Sequence, residues 1–342
     1  MSWEHLDESH VRVRPGKGTR PRTKQRPTHA DAVVGRVVSV DRGRYQVLLG
    51  AGVGGRREPE RVVVAMRARE LRRDPVVVGD DVAVVGDTAG RPDSLVRIVR
   101  IEPRRTVLRR SADDTDPVER VLVANADQLV VVSALANPEP RPRLIDRCLV
   151  AAYDADMDAL LVLTKGDLVD PTDFLAGYAS LQVPSVVTAR GPHGLVGLDE
   201  VRAQLTGRVS VLVGHSGVGK STLVNALVPG ADRAIGQVND VTGRGRHTST
   251  SAVALALPDD TGWVIDTPGV RSFGLAHVEP ARIVSHFPDL LPGTDGCPRG
   301  CTHDEIDCGL DAFVASGGAG AAGAARLDSL RRLLRARSGE PD

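Results

Sequence analysis

Residues 209–227 read Val209-Ser210-Val211-Leu212-Val213-Gly214-His215-Ser216-Gly217-Val218-Gly219-Lys220-Ser221-Thr222-Leu223-Val224-Asn225-Ala226-Leu227. The first five form a β-branched, strand-like run. The last eight have helical composition. Between them the pattern G-x-x-x-x-G-K-[ST] is complete. Its glycines let successive N–H groups wrap phosphate oxygens at a helix N-terminus. Lys220 should reach the β- and γ-phosphates, and the Ser221 hydroxyl should ligate Mg²⁺. Strand, loop and helix in this order predict an α/β domain with a mostly parallel sheet. This loop serves kinases, transporters and motors alike, so it does not choose between ATP and GTP.

Downstream, Asp266-Thr267-Pro268-Gly269 follows an apolar strand at 262–265. An Asp at a strand end with Gly three residues on matches the DxxG switch element. Asp266 would bind Mg²⁺ through its water shell, and the Gly269 N–H would contact the γ-phosphate. Between the two motifs lies Gly243-Arg244-Gly245-Arg246-His247-Thr248-Ser249-Thr250. Its Gly hinges and hydroxyls suit a segment that orders around γ-phosphate and Mg²⁺. One of Thr248, Ser249 and Thr250 should be the second Mg²⁺ hydroxyl, and Thr250, just before the next strand, is the preferred one. Val270 stands where many GTPases carry the Gln that orients water, and Val cannot do this. His247 is the nearest candidate for that task.

Upstream, Thr164-Lys165-Gly166-Asp167 follows a buried-type strand at 159–163. The Asp167 carboxylate can accept both N1–H and N2–H of guanine. Adenine lacks that donor pair and would leave the carboxylate unpaired. Lys165 would pack along the base plane. Thr164 replaces the Asn of NKxD and lacks an amide, which predicts a weaker tie between this loop and the base or phosphate loop. Val187-Thr188-Ala189-Arg190 resembles the loop whose backbone, at Ala189, contacts guanine O6. The order is therefore base-reading loops, phosphate loop, then switch elements. Ordinary GTPases begin with the phosphate loop, so this is a circular permutation, tolerated where the original termini lie close together. It sends the DxxG segment directly into the C-terminal region, so nucleotide state can reposition that region.

The flanks carry separate signals. Cys297, Cys301, His303 and Cys308 fall within twelve residues and make a full Cys₃His set for one structural Zn²⁺, with no position left for catalytic water. Cys148, in an apolar helical stretch, reads as core. Short β-rich runs at 33–40, 45–49, 61–65, 81–85 and 94–101, separated by Gly, Pro and Asp, predict a small barrel; an OB-fold fits, and an SH3-like barrel would read similarly. Residues 11–28 hold seven basic and no acidic side chains among Pro and Gly, a composition for a disordered arm that either solvates the chain or neutralises nucleic-acid phosphates. The domain boundaries expected are 1–31 (arm), 32–103 (barrel), 104–275 (permuted nucleotide domain) and 276–342 (zinc-binding and helical region).

Composition narrows the class further. The 342 residues are 41% hydrophobic but 3% aromatic, so the core must be Val, Leu, Ala and Ile. The formal net charge is +0, so any nucleic-acid affinity must be local. No apolar run approaches membrane-spanning length, and residues 1–10 lack a signal-peptide core. Four cysteines, three of them clustered with His, indicate a reducing compartment. A cytoplasmic monomer is expected.

Taken together, TKGD, GHSGVGKST, GRGRHTST, DTPG and the Cys/His cluster, with Val123-Ala124-Asn125-Ala126-Asp127-Gln128, resemble the bacterial small-subunit-dependent, circularly permuted GTPases that act late in small-subunit assembly. The resemblance covers about residues 32–310. It implies an OB-fold, a GTPase domain and a zinc domain that bind the 30S subunit and its rRNA near the decoding centre. It also implies slow GTP hydrolysis to GDP and phosphate, stimulated by the subunit, with release afterwards. Two departures stand out: the Cys/His spacings are one residue shorter than the family form, and Ser249 replaces a usual Thr. Two rival readings stay open. One is an RNA-binding scaffold that uses GTP as a structural ligand, which Val270 favours; the other is a P-loop kinase or ATPase, which TKGD opposes.

Overall fold

β1 (Val33–Asp41), β2 (Arg44–Ala51), β3 (Arg57–Arg67), β4 (Asp81–Val85) and β5 (Leu95–Ile101) close into a barrel in the order β1-β2-β3-β5-β4, with β4 returning to β1. Pairing is antiparallel except between β3 and β5. This five-stranded closed barrel is the one expected. Alternate residues fill it: Val37, Tyr45, Val47, Leu49, Val63, Ala65, Val82, Val84, Val96 and Ile98 are buried together. The computed structural model describes residues 29–51, 57–71, 74–91, 94–110, 119–231, 252–267, 273–275 and 277–338. The basic run 11–28, the loop 243–250 with His247 and Thr250, and Pro268, Gly269 and Val270 lie outside the described residues. The chain from Ala32 onward forms one unit.

Buried polar contacts seat the barrel on the domain downstream of it. Asp80, fully buried, accepts from Arg104 at 2.7 and 2.9 Å and from the Val77 N–H at 2.8 Å. The Asn125 side chain donates to the Gly79 carbonyl at 3.0 Å. Gly79 has φ +90°, and a Cβ there would lie 2.0 Å from the Ala124 carbonyl oxygen, so only glycine permits this approach. A hairpin that the sequence pattern does not announce, β6 (Val107–Arg110) with β7 (Arg120–Ala124), connects the two regions.

β8 (Gln128–Ala134), β9 (Asp158–Thr164), β10 (Ser185–Val187), β13 (Val209–Val213) and β15 (Trp263–Asp266) form a parallel sheet in the order β10-β9-β8-β13-β15. β14 (Val253–Ala256) joins antiparallel to β15 and pairs on its other side with β1, at Ser39 and Val253. The continuous apolar runs of these strands follow from burial on both faces. Leu129, Val131, Leu161, Leu163, Val211 and Ile265 face α1 (Pro142–Asp154). Their neighbours Val130, Val132, Leu160, Val162, Leu212 and Val264 face α3 (Leu198–Leu205) and α4 (Lys220–Leu227). α2 (Thr172–Ala179) links β9 to β10.

The C-terminal region contains α5 (Pro280–Val284), α6 (Gly309–Ala315) and α7 (Gly323–Ser338). Leu327, Leu330, Leu333 and Leu334 of α7 join the same apolar cluster as Leu149 and Ala152 of α1. Arg147 of α1, nearly fully buried, reinforces the seam. It donates to the Phe273 carbonyl (2.8 Å through Nε, and again through Nη2) and to the Ala336 carbonyl at 2.7 Å. One guanidinium thus joins the segment leaving β15 to the last turn of the terminal helix. No described helix is long and apolar enough to cross a membrane.

Candidate nucleotide site

The phosphate loop leaves β13 at Gly214. A Cβ there would lie 2.5 Å from the Val132 carbonyl oxygen, so glycine lets the loop lie on the end of β8. Gly217 and Gly219 have φ of +83° and +90°, which open the turn so that α4 starts at Lys220. Within the turn His215 Nδ1 lies 2.9 Å from the Ser216 carbonyl, and the Val218 N–H points back at the His215 carbonyl. Exposed Ser221 and Thr222 occupy the first turn of α4. The Lys220 ammonium donates to the Asp266 carboxylate and, at 2.8 Å, to the Thr267 carbonyl. Thr267 is itself buried and donates to the Leu212 carbonyl at 2.7 Å. The end of β15 is thereby locked to the end of β13, and Asp266 sits beside the N-terminus of α4. A hydroxyl and a carboxylate are hard oxygen donors, the kind Mg²⁺ takes. Ser221 and Asp266 therefore fit as its holders, and the ion would neutralise phosphate charge.

The loop at 164–167, expected to read the base, is tied to the phosphate loop by side-chain hydrogen bonds. Thr164 Oγ1, buried at the end of β9, donates to the Val218 carbonyl at 2.5 Å. The tie expected to weaken for want of an Asn amide is thus made by the hydroxyl. Lys165, at φ +61°, donates to the Gly217 carbonyl at 3.0 Å and to the Asn137 carbonyl. Gly166 donates to the Thr188 carbonyl at 3.0 Å, and Thr188 to the Leu163 carbonyl at 2.7 Å. The Arg190 N–H donates to Asp167 Oδ1 at 2.9 Å. That bond, first among the causes, holds the Asp167 carboxyl below its usual range. Thr164→Val is expected to cost about 1 kcal/mol, the usual net worth of one hydrogen bond, and to weaken GDP binding with it. Denaturant unfolding and calorimetry check both.

Thr164, Lys165, Asp167, Leu168, Thr188, Ala189, Arg190, Leu195, Gly219, Thr222 and Leu223 line one cavity of about 270 Å³. Residues far apart in sequence, from the base-reading loops and the phosphate loop, therefore share a single concavity. Leu168, Leu195 and Leu223 belong to no motif. Leu195 arrives on a hairpin of β11 (Ala189–Gly191) and β12 (Gly194–Val196), whose three-residue strands leave no periodic signal.

In the C-terminal region, one ligand atom from each of Cys297, Cys301, His303 and Cys308 lies within 4.8 Å of the others. Cys297 Sγ is 3.5 Å from His303 Nδ1 and 3.9 Å from Cys308 Sγ. A tetrahedron with Zn–S bonds of about 2.3 Å has edges of about 3.8 Å, so the set fits one Zn²⁺. α7 braces it: Arg331 donates to the His303 carbonyl at 3.0 Å and Arg335 holds Asp304 at 2.8 Å. Cys148 is a core residue, and burial pushes its thiol up to about 12.

Barrel, permuted strand order and phosphate loop define a circularly permuted P-loop GTPase with a Cys₃His centre. A family model described as RsgA GTPase matches residues 101–276. A Gemmatimonas aurantiaca protein named small ribosomal subunit biogenesis GTPase RsgA is 36% identical over 266 residues, covering 75% of this chain and 85% of its own. Its Pseudomonas aeruginosa namesake is 42% identical over 221 residues, with 62% and 63% covered. The crystal structure of YjeQ from Thermotoga maritima superposes with a TM-score of 0.61 at 26% identity, covering 91% of this chain and all of that one. YloQ, described as a circularly permuted GTPase, shares the fold, with a TM-score of 0.60 at 22% identity. The chain belongs to the RsgA GTPase family, as its motif order indicated, and is a GTPase.

Proposed function

We propose that this protein hydrolyses GTP while bound to the small ribosomal subunit, and that hydrolysis times a late step of subunit maturation and the protein's own release. The observation that carries the reading is the shared cavity. It sets the Asp167 carboxylate and the first turn of α4 around one ligand-sized space, and the Lys220–Asp266 pair adjoins that turn. The names of the relatives supply the subunit. In this reading Asp167, Lys165 and the Ala189 backbone take the guanine. Residues 214–222 cradle the phosphates, and Ser221, Thr250 and Asp266 surround Mg²⁺. The Gly269 N–H reads the γ-phosphate, and His247 orients the water. The arm (1–31), the barrel (32–103) and the region 276–342 supply the rRNA contacts around the 104–275 GTPase domain. The protein works as a cytoplasmic monomer.

The test is GTP and ATP turnover by the purified chain, alone and with small or large ribosomal subunits. GTP-selective turnover that rises at least tenfold with small subunits alone is expected. Equal use of ATP, or no stimulation, overturns the reading. His247→Ala is expected to lose about 10²-fold or more of the stimulated rate while keeping GDP affinity, within the usual range for proton-handling residues. Full stimulated turnover would remove His247 from that role.

A further inference from the structure

We propose that Arg190 is a positioning residue for guanine recognition, acting through its main-chain N–H on the Asp167 carboxylate. The inference rests on the reading of Asp167 as the guanine acceptor. A carboxylate on a loop turns freely about its Cβ–Cγ bond, and accepting two parallel N–H donors requires one orientation of that group. Here Arg190 N–H, 2.9 Å from Oδ1, selects the orientation. An ionised carboxylate offers about four lone-pair sites, so one bond from the side leaves enough capacity for the base.

The donor is itself well fixed. Arg190 sits in β11, opposite Leu195 of β12. The chain leaves the hairpin at Gly197, where φ is +80° and a Cβ would lie 2.2 Å from the Val187 carbonyl oxygen, so the base of the hairpin lies against the end of β10. Gly166, one residue before Asp167, is pinned to the Thr188 carbonyl, and a Cβ there would lie 2.6 Å from Val187 Cγ1. Donor and acceptor loops are therefore held against each other on both sides of the 2.9 Å bond. The charged groups near the carboxylate are the Arg190 guanidinium and the Lys165 ammonium, and the latter is engaged by the Gly217 and Asn137 carbonyls. The main-chain N–H outranks both charges in holding the carboxyl ionised.

The experiment measures GDP and IDP affinity of the full chain by calorimetry. Inosine keeps N1–H but lacks the N2 amine, so the GDP/IDP ratio reports whether both carboxylate oxygens are aligned. Arg190→Ala keeps the N–H and should leave the ratio within about twofold of wild type. Arg190→Pro removes the N–H, which is given to Asp167 and not to the hairpin ladder. It should weaken GDP by about tenfold or more, weaken IDP less, and bring the ratio toward one. An α-hydroxy acid at position 190 deletes the same N–H by an amide-to-ester change, without the proline ring, and should do the same even where the proline variant does not fold. A wild-type ratio in the ester variant, or an equal loss for both nucleotides, overturns the proposal. Asp167→Asn separates the two layers. If it leaves GDP binding unchanged, the reading of Asp167 itself fails. If it abolishes the preference while the ester variant keeps it, only the role of Arg190 fails.

Discussion

Lys220→Ala is expected to lower GTP turnover by about 10²- to 10³-fold, the range seen when one preorganised electrostatic donor is removed. The Lys220 ammonium bridges the Asp266 carboxylate and the Thr267 carbonyl, so it ties the start of α4 to the end of β15. A triphosphate arriving at the helix N-terminus offers this ammonium a stronger partner. In the proposed reading Lys220 would then counter γ-phosphate charge, leaving the Asp266 carboxylate free to help hold Mg²⁺. Alanine removes the cation and leaves a carboxylate facing the polyphosphate. GDP affinity should fall far less than turnover, because the loop N–H groups and the Asp167 side of the cavity are untouched. Single-turnover rates with saturating GTP, set beside GDP titrations, check the split. Turnover within threefold of wild type would falsify the role given to Lys220.

The second large effect concerns the Cys₃His centre. Cys297→Ser, or exhaustive chelation of the wild type, should reduce bound zinc from one equivalent to near none. It should also lower stability by several kcal/mol, since structural zinc binding is folding free energy. For a chain of this size that corresponds to a melting-temperature drop of roughly 10 °C. The damage should spread into α7, because Arg331 and Arg335 brace that helix on the carbonyl of His303 and on Asp304. Elemental analysis, thermal melts and hydrogen exchange over residues 323–338 check each step. Unchanged melting after complete removal of zinc would show that the four side chains are not a structural centre.

Much of this architecture is legible in the chain. β13 and α4 run over the residues their patterns predict, because each combines an apolar run with a sharp Gly boundary. The Cys₃His set is legible because its four donors, which a tetrahedral site needs close in space, here also lie within twelve residues of sequence. Other features have no local signature. The β6–β7 and β11–β12 hairpins are too short to show alternation, and only tertiary contact reveals that Leu195 lines the same cavity as Asp167. Thr164 reads as a weakened Asn because its partner, the Val218 carbonyl, lies 54 positions away and only the fold brings it within reach. Arg147 belongs to no motif, and its acceptors are carbonyls 126 and 189 positions away, which only the fold brings near.

The pairing of β14 with β1 bears on how this protein can be divided. β14 is the edge of the GTPase sheet, and the barrel covers it at Ser39 and Val253. A chain begun at residue 102 would keep every nucleotide motif and still present the bare N–H and C=O groups of that strand, with its Val253-Ala254-Leu255 run, to other copies of itself. Unprotected edges of this kind template intermolecular pairing. A GTPase region prepared without the barrel should therefore self-associate, and acquiring a charge on β14 would be the economical way to keep it soluble. In that case the barrel acts as a shield for its neighbour's sheet edge, through the pairing at Ser39 and Val253.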